Sequence, residues 1–258
     1  MMLGICASVG RAGLSGLGVD YVEENVQDFL LPERDAKAYA AALAGLGPLP
    51  ILGAANCFLP AAMKCVGPDV DRPAILAYAQ RAFERAGRLG MGIIVFGSGG
   101  SRTVPAGFSR DAAFSQFVGL LRDLGPLAQA GGVVLAVEPL NRGECNLINS
   151  LAEGAEAVLA CGHPCVGLTA DLYHMAVDSE GPEAIERHGV LLRHAHVAER
   201  EGRACPGVHG DDFRPCFRAL KGAGYRGALS IECNWGSLGN EAPRGLQTLR
   251  KQLSDAGF

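Results

Sequence analysis

Short apolar segments of strand length alternate with longer amphipathic segments along the whole chain. The apolar segments cover residues 3–7, 20–26, 51–57, 91–96, 133–138, 166–170, 190–197 and 228–231. An amphipathic segment follows nearly every one of them, and this order predicts parallel strands joined by right-handed crossovers. Eight such units within 258 residues favour an α/β fold that closes into a (β/α)8 TIM barrel over an open doubly wound sheet.

Helix start and stop residues mark the amphipathic segments. Asp71, Ser109 and Ser150 stand where N-caps are expected, and Gly47-Pro48 follows the first long segment. The predicted helices cover residues 33–46, 74–89, 110–130, 151–160, 182–188, 212–223 and 243–256. Residues 8–19 are Gly-rich and too short for a full crossover, so we expect a shortened first helix. No linker or change of composition divides the chain, and we predict one barrel domain over residues 1–258.

Composition and charge narrow the class of protein. Hydrophobic residues make up 48% of the chain and charged residues 19%, which is typical of a globular protein with a core. The net charge of −4, spread along the chain, argues against nucleic acid or an anionic membrane as a partner. The N-terminus lacks the basic region of a signal peptide, and no segment approaches the ~18 apolar residues of a transmembrane helix. We expect a cytoplasmic protein.

The chain contains nine cysteines. Their odd number, their mostly apolar neighbours and the lack of a secretory signal predict free thiols that pack as small hydrophobic side chains. Cys161-Gly-His-Pro-Cys165 resembles half of a metal knuckle, but no second cysteine pair stands at the matching spacing. We therefore interpret this segment as a helix end followed by the start of a buried strand.

Polar side chains stand at the ends of the last four predicted strands, and their chemistry is that of metal ligands. The residues are Glu138, Asp171, His196 and Glu232. In a barrel of this kind the strand ends meet at one rim, where three carboxylates would repel one another unless a cation lay between them. Oxygen ligands with a single imidazole suit Mn²⁺, Mg²⁺ or Co²⁺ better than a structural zinc ion. Taken singly, each residue has an ordinary alternative, a salt bridge to an arginine or a buried core histidine.

The same half of the chain carries motifs that resemble a known family. They are Val137-Glu-Pro-Leu-Asn-Arg-Gly-Glu144, Asp171-Leu-Tyr-His174, His194-Ala-His196 with Arg203-Ala-Cys-Pro-Gly207, and Ile231-Glu232. As an ordered set they resemble the xylose isomerase-like sugar isomerases and epimerases, above all the D-tagatose and D-psicose type of ketose 3-epimerase and the hydroxypyruvate isomerases. The resemblance runs from residue 133 to 234.

The resemblance implies a role for each matching residue. Glu138, Asp171, His196 and Glu232 would bind one divalent metal, with Mn²⁺ as the first candidate, and Glu138 and Glu232 would be the catalytic acid and base. Glu144, His174 and Arg203 would bind oxygens of a small sugar substrate. Relatives of this kind form homodimers or homotetramers, so the same is expected here.

Other interpretations of the substrate-binding residues stay open. Glu144 also fits a solvated loop charge, and His174 also fits a loop histidine that caps a helix. Arg200 competes with Arg203, because the loop after His196 is one residue longer than the family pattern.

Two further features have two interpretations each. The loop Gly97-Ser-Gly-Gly-Ser-Arg102 departs from the family and would bind a phosphate through its backbone N–H groups, or form a turn with positive φ, which we favour. Trp235 and Phe58 are candidate apolar walls for a sugar, although barrel packing is the more ordinary role.

The predicted reaction is C3 epimerisation of a ketose through an enediolate. One glutamate, Glu138 or Glu232, removes the proton beside the carbonyl and the other returns a proton to the opposite face. If one glutamate did both, the product would be that of an aldose–ketose or hydroxypyruvate isomerase. A dehydratase of the inosose or dehydroshikimate type would lose water after the same first step.

Two classes without this chemistry are weaker candidates. An endonuclease IV-like DNA repair enzyme needs more metal ligands than the six histidines allow and a basic face. A non-catalytic sugar-binding barrel or accessory subunit would not need the complete ligand set.

Overall fold

The closed barrel predicted from the alternating pattern is confirmed. The structure is a computed structural model that describes residues 1–10, 14, 16–47 and 49–258. Eight parallel strands follow one another in chain order around the barrel, and the last pairs with the first. The strands are β1 Leu3–Cys6, β2 Tyr21–Asn25, β3 Leu52–Asn56, β4 Ile93–Phe96, β5 Val134–Val137, β6 Val166–Asp171, β7 Leu192–Val197 and β8 Leu229–Ile231.

Helices connect the strands and cover the outside of the barrel. They are α1 Ala36–Ala44, α2 Arg72–Arg88, α3 Gly99–Arg102, α4 Arg110–Gly131, α5 Leu151–Cys161, α6 Leu172–Val177, α7 Pro182–His188, α8 Arg214–Gly222 and α9 Leu238–Asp255. A π-helix follows β2 at Val26–Leu30, and 3-10 turns cover Gly189–Leu191 and Glu201–Arg203.

The predicted N-caps form the expected hydrogen bonds. The side chain of Asp71 accepts from the backbone N–H of Ala74 at 3.0 Å, and Ser150 accepts from Glu153 at 3.2 Å. Ser109 caps α4 in the same way. Each of these side chains satisfies an N–H group that the first turn of a helix cannot pair internally.

Two helix boundaries predicted from the sequence are wrong. Asp35 caps α1, so this helix begins after the predicted start, and the π-helix occupies the segment directly after β2. The last helix begins at Leu238, five residues before Pro243. Proline is most often found in the first turn of a helix, which is why the sequence predicted a start at Pro243. In the structure Pro243 lies inside α9, where it removes one backbone N–H donor without ending the helix.

The segment predicted to hold a shortened first helix is only partly described. Residues 11–13 and 15 lie outside the described residues, and the described positions between β1 and β2 form turns and coil. Pro48, part of the predicted stop after the next helix, also lies outside them, whereas Gly47 has a φ of 71°.

The interior of the barrel is polar towards the carboxyl-terminal ends of the strands, and the candidate site lies at that end. Near the amino-terminal ends of the strands, the ring of Tyr21 fills the space that Gly4 and Gly53 leave open. The Tyr21 hydroxyl lies 2.6 Å from Ser230 Oγ. Above Ser230 the side chains of β2 and β7 continue the chain of hydrogen bonds towards the carboxyl ends of the strands.

The cysteines have the free thiols that the sequence predicts. All nine cysteines are free, and Cys65, Cys145, Cys161 and Cys205 are buried. Cys161 ends α5 and Gly162 follows it with a φ of 71°, so the segment up to Cys165 is a helix end and a turn. In the described part of the chain, no helix is long and apolar enough to cross a membrane.

Gly87 provides a test of how closely α2 and α4 pack. A Cβ atom at this position would lie well inside 3.0 Å of the carbonyl oxygen of Gly131. We expect Gly87→Ala to lower the free energy of unfolding by about 1–3 kcal/mol, because backbone atoms cannot move aside as a side chain can. Urea unfolding followed by circular dichroism measures this change.

Gly222→Ala is the matched control. Gly222 ends α8 with open space around the position of its missing Cβ. This substitution should therefore raise stability by about 0.5–1 kcal/mol through the lower entropy of the unfolded chain. Equal midpoints for the two variants would contradict the close approach of α2 and α4.

Candidate active site

Four side chains from four successive strand ends meet at the carboxyl-terminal rim of the barrel. Glu138, Asp171, His196 and Glu232 each offer one ligand atom, and these atoms lie within 4.8 Å of one another. His196 Nδ1 lies near an oxygen of each of the three carboxylates. The distances are 2.8 Å to Glu138 Oε1, 3.3 Å to Glu232 Oε2 and 4.0 Å to Asp171 Oδ2. The structure thus brings together all four residues that the sequence predicted as metal ligands.

The two carboxylate oxygens of Asp171 have different partners. It is the last residue of β6, and one carboxylate oxygen, Oδ1, accepts hydrogen bonds from the N–H groups of Tyr173 and His174 at the start of α6. The other oxygen, Oδ2, faces the cluster and lies 3.4 Å from Arg203 Nη2. The turn from strand to helix therefore fixes the orientation of a carboxylate that would otherwise rotate freely.

Glu138 is held by the loop after β4. Arg102 is completely buried, and its guanidinium donates to the carbonyl oxygens of Phe96 at 3.1 Å and of Glu138 at 2.9 Å. A Cβ on Gly97 would collide with Glu138 Oε2. A glycine is needed at position 97 because the carboxylate of Glu138 lies against its backbone, and not because of a positive φ.

In the loop from Gly97 to Arg102, the predicted positive φ occurs at a serine and not at a glycine. The residue with positive φ is Ser98, at 43°, and the next four residues form the single turn α3. Gly99 and Gly100 also approach neighbours too closely for a side chain, namely the carbonyl oxygen of Glu144 and the side chain of Ala61. The glycines let α3 lie against the rim.

Glu232 is held from two sides. Asn56, at the end of β3, donates to Glu232 Oε1 at 2.8 Å. Arg203 donates to Glu232 Oε2 through Nη2 and to the backbone carbonyl of Glu232 through Nε at 3.1 Å. Both partners leave the carboxylate facing the pocket.

A buried glutamate holds the loop that carries Arg203 in place through hydrogen bonds. Glu199 is fully buried and accepts hydrogen bonds from the backbone N–H groups of Gly207, His209, Gly210 and Asp211. Arg203 has a φ of 50° and its guanidinium lies 4.7 Å from the centre of the Tyr173 ring. Arg200 is exposed and uses its backbone N–H to bind Asp211. Of the two predicted arginines, Arg203 is the one at the site.

His174 and Glu144 lie together on the rim, His174 beside Asp171 and Glu144 beside Arg203. His174 is buried in the first turn of α6, a short helix that the sequence pattern did not predict. Asn141 joins them: its Nδ2 donates to Glu144 Oε1 at 3.0 Å and lies 2.9 Å from His174 Nδ1. The carboxylate of Glu144 is also 3.8 Å from Arg203.

These side chains line a pocket of about 370 Å³. Glu138 and Glu232 line this pocket together with the apolar side chains of Leu59 and Leu140. A cavity of this size admits a small molecule rather than a polymer. Phe58 packs against Phe83 and Phe96 in the core, and Trp235 donates to the carbonyl oxygen of Cys6, so packing is the observed role of both aromatic residues.

The charges in the cluster shift the pKa values of its members. Burial raises the pKa of Glu138, and the neighbouring Glu232 adds to this effect. The pKa of Glu232 is lowered to about 2 because the charges of His196 and Arg203 outweigh its burial. Burial alone would lower the pKa of His196, but Glu23 and Glu232 raise it well above its usual value. Glu138 and Glu232, the two glutamates of the cluster, therefore differ in proton affinity.

The donor set fits a divalent cation. Three carboxylates and one imidazole are the ligands that hard divalent metals accept, and all four face one point. Glu138, Asp171, His196 and Glu232 are therefore the residues that would hold a metal.

The sequence interpretation missed two residues of the first half of the chain. Glu23, in β2, is buried beneath His196 and forms a second group with Cys6 and His196, with ligand atoms within 4.8 Å. Glu23 and Glu24 are adjacent in a strand, so one of them must point into the barrel, and this was the available signal. Asn56 ends a strand as the four predicted residues do, but it is not ionisable.

The thiol of Cys57 gives a test of the pocket's electrostatics. Cys57 lines the pocket with an exposed side chain, and partial burial of its sulfur together with the charges of Glu232 and Glu138 raises its pKa to about 12. Since the thiolate is the reactive form and solvent screens the carboxylates at an exposed thiol, alkylation of Cys57 by iodoacetamide at pH 8 should be at least about tenfold slower than for an unperturbed thiol. Peptide mass spectrometry of chelator-treated protein measures this rate.

The same cysteine in urea-unfolded protein is the reference. Unfolding removes both burial and the neighbouring carboxylates, so the rate should return to that of a free cysteine. Equal rates in the folded and unfolded protein would show that the carboxylates do not act on this thiol.

Comparisons of the sequence show which known proteins this chain resembles. A family model described as a xylose isomerase-like TIM barrel matches residues 12–252. The 3-dehydro-D-guloside 4-epimerase of Escherichia coli (strain K12) is 32% identical over 113 residues, 43% of this chain and 43% of that protein. The L-ribulose 3-epimerase of Mesorhizobium japonicum is 31% identical over 147 residues, 57% of this chain and 48% of that protein. The chain thus spans less than half the length of these curated relatives.

A solved structure agrees with the fold. The apo crystal structure of the 3-keto-D-glucoside 4-epimerase YcjR from E. coli has a TM-score of 0.79 at 22% identity, covering 97% of this chain and 99% of that one. The motif resemblance predicted from the sequence is confirmed by the family match, which extends through the first half of the chain as well. The chain belongs to the xylose isomerase-like TIM-barrel family.

Proposed function

We propose that this protein is a metal-dependent sugar epimerase that inverts the configuration at C3 of a ketose. The observation that carries the proposal is the pair of carboxylates Glu138 and Glu232, which line the same pocket from β5 and β8 and share His196. Their strands are separated by β6 and β7 around the barrel, so the two carboxylates approach a bound molecule from different directions. Epimerisation needs such a pair, because one face loses a proton and the other gains one.

The residues of the cluster divide the work of the proposed reaction. A divalent cation held by Glu138, Asp171, His196 and Glu232 would polarise the ketose carbonyl and the neighbouring hydroxyl. One carboxylate, Glu138 or Glu232, removes the proton from C3 and the other returns a proton to the opposite face of the enediolate. Arg203 and Asn56 keep Glu232 facing the pocket throughout.

Substrate binding falls to the part of the rim around Asn141. His174 and Glu144 offer a donor and an acceptor for sugar hydroxyls, and Asn141 fixes both through its amide. Arg203 reaches Glu144 as well as Glu232, so one guanidinium connects the proposed binding residues with the proposed catalytic ones.

The charge of the pocket favours a neutral sugar over a sugar phosphate. Among the described residues that line it, Glu138, Glu144 and Glu232 are acidic and Arg203 is the one arginine or lysine. Arg203 already faces Glu232, Asp171 and Glu144. Apart from the proposed cation, whose positions would be taken by its four ligands and the sugar oxygens, a phosphate dianion would find no free positive charge among these residues, and the carboxylates would repel it.

A 4-epimerase acting on a 3-keto sugar or glycoside is the second candidate. The relative from E. coli carries this kind of activity in its name. The first step is the same, since the proton removed again lies beside a carbonyl. Aldose–ketose isomerisation, hydroxypyruvate isomerisation and dehydration of an inosose or a dehydroshikimate also begin there, and the carbon that exchanges its proton separates them.

The identity of the metal and the assembly complete the proposal. Mn²⁺ suits the oxygen-rich donor set best, with Mg²⁺ and Co²⁺ as alternatives. We also propose that the chain assembles as a homodimer or homotetramer, which light scattering after size-exclusion chromatography measures.

Incubation in D₂O with Mn²⁺ tests the reaction directly. The panel contains D-psicose, D-tagatose, L-ribulose, their phosphates, hydroxypyruvate and a 3-keto-glucoside. We expect deuterium at C3 of a neutral ketose, with little exchange in the phosphates, read by NMR and mass spectrometry. Exchange at C4 of the keto-glycoside instead would favour the second candidate, and loss of one water would indicate a dehydratase.

Conservative substitutions test the acid/base pair. Glu138→Gln and Glu232→Gln keep the shape of each side chain but remove the group that exchanges a proton. Each should lower the rate of epimerisation at least about 100-fold, measured at saturating Mn²⁺ with metal content verified by atomic emission. Glu156→Gln, on the exposed surface of α5, is the control and should keep the wild-type rate. Near wild-type turnover in either site variant with metal bound would exclude the two-carboxylate scheme.

A further inference from the structure

A third buried glutamate, Glu23, lies beneath the cluster and on the side of His196 away from the pocket. It belongs to β2 and is 1% exposed. Its carboxylate receives hydrogen bonds from His194 Nε2 at 2.8 Å, His196 Nε2 at 2.9 Å and Ser230 Oγ at 2.6 Å. A buried carboxylate without such partners would be strongly destabilising, so these three donors account for its place in the barrel.

The two nitrogens of the His196 ring face opposite ways. Nε2 faces Glu23, whereas Nδ1 faces Glu138, Asp171 and Glu232. An ionised carboxylate only accepts hydrogen bonds, so the nitrogen beside Glu23 must carry a proton. The electron pair available for a metal then lies on Nδ1, on the side of the pocket.

The position of Glu23 is itself determined by neighbours below it. Ser230 Oγ donates its single proton to Glu23 Oε2 and therefore accepts from the hydroxyl of Tyr21 at 2.6 Å. His194 uses Nε2 for Glu23, and its Nδ1 has no hydrogen-bond partner among the described residues. Tyr21, Ser230 and His194 therefore hold the carboxylate, and the carboxylate holds His196.

We propose that Glu23 is a positioning residue for the metal centre: it fixes the tautomer and the ring orientation of His196, so that Nδ1 is presented to the metal. Histidine ligands commonly depend on a carboxylate or carbonyl at their other nitrogen for these properties. The inference rests on the metal centre of the proposed function. It adds a residue from β2, a strand outside the set β5 to β8 that carries the motifs identifying the ligands.

Glu23→Gln is the test, because the amide keeps the shape of the side chain but presents an NH₂ group to one of the two histidines. The dissociation constant of Mn²⁺, measured by isothermal titration calorimetry, should rise about 10- to 100-fold. Turnover at saturating Mn²⁺ should recover to near the wild-type value, since Glu23 does not touch the pocket. A dissociation constant within twofold of wild type would overturn the proposal.

Glu24→Gln is the matched control. Glu24 is the next residue of β2 and is 2% exposed, but its carboxylate accepts from the backbone N–H groups of Val9 and Asn25. It has the same residue type, strand and burial without contact with a histidine. Its Mn²⁺ affinity should stay within twofold of wild type, and a loss equal to that of Glu23→Gln would show a general effect of a buried charge in β2.

A readout that needs no metal separates this inference from the proposed function. In protein labelled with ¹⁵N-histidine, the Nε2–H of His196 should give a low-field, slowly exchanging resonance that is absent from Glu23→Gln. If wild type shows this resonance but does not bind Mn²⁺, the metal centre is wrong while the contact between Glu23 and His196 stands. If the resonance persists in Glu23→Gln, the positioning role is wrong whatever the affinity.

Ser230→Ala covers the case in which Glu23→Gln does not fold. It removes one of the three donors to Glu23 and leaves the charge in place. The Mn²⁺ dissociation constant should rise by a smaller factor, about 2- to 10-fold, with an unchanged circular dichroism spectrum. No change in affinity or in the His196 resonance would overturn the proposal.

Discussion

The imidazole of His196 lies between two groups of buried carboxylates, and the upper half of the barrel interior is arranged around it. Glu23 lies on one side and Glu138 and Glu232 on the other, all within hydrogen-bond or ion-pair distance. Each of these acids would be costly to bury alone. They come from strands on different sides of the barrel, so closure of the sheet and the stability of this polar group depend on one another.

Arg203 and Arg102 complete this arrangement in different ways. Arg203 brings a positive charge to Glu232 and Asp171 from the loop that Glu199 organises. Arg102 touches no carboxylate of the site, but its guanidinium binds the carbonyl oxygens at the ends of β4 and β5. The first neutralises the site, whereas the second holds the backbone from which Glu138 extends. The glycines beside Arg102 are needed because the backbone of α3 lies directly against the rim.

The geometry explains how one family can host several reactions on sugars. Proton removal beside a carbonyl requires the same acid, base and charge stabilisation whether C3 or C4 is inverted. In the proposed function, the cluster around His196 supplies these groups at the strand ends. The position of the sugar would depend instead on the loops, here on Asn141, Glu144 and His174 after β5 and β6. In a barrel of this type, differences in loops change the substrate while the strand ends keep the chemistry.

The sequence and the tertiary structure contributed different parts of this site. The alternation of apolar and amphipathic segments determined the barrel, and polar residues directly after apolar segments identified Glu138, Asp171, His196 and Glu232. Both signals are local, because strand period and strand ends can be recognised within a few residues. The sequence also favoured Arg203 over Arg200 only through the family resemblance.

Only the tertiary structure decided which partner each of these side chains has. Glu23 is 173 residues from His196 and Asn56 is 176 residues from Glu232, and no local pattern links positions so far apart. The close approach of Gly97 to Glu138 and the burial of Arg102 likewise appear only when β4 and β5 are paired. The sequence alone determined the fold and the strand ends that carry the proposed metal ligands, since these follow from periodicity. The contact between Glu23 and His196 and the supports of each carboxylate depend on barrel closure, which places distant strands side by side.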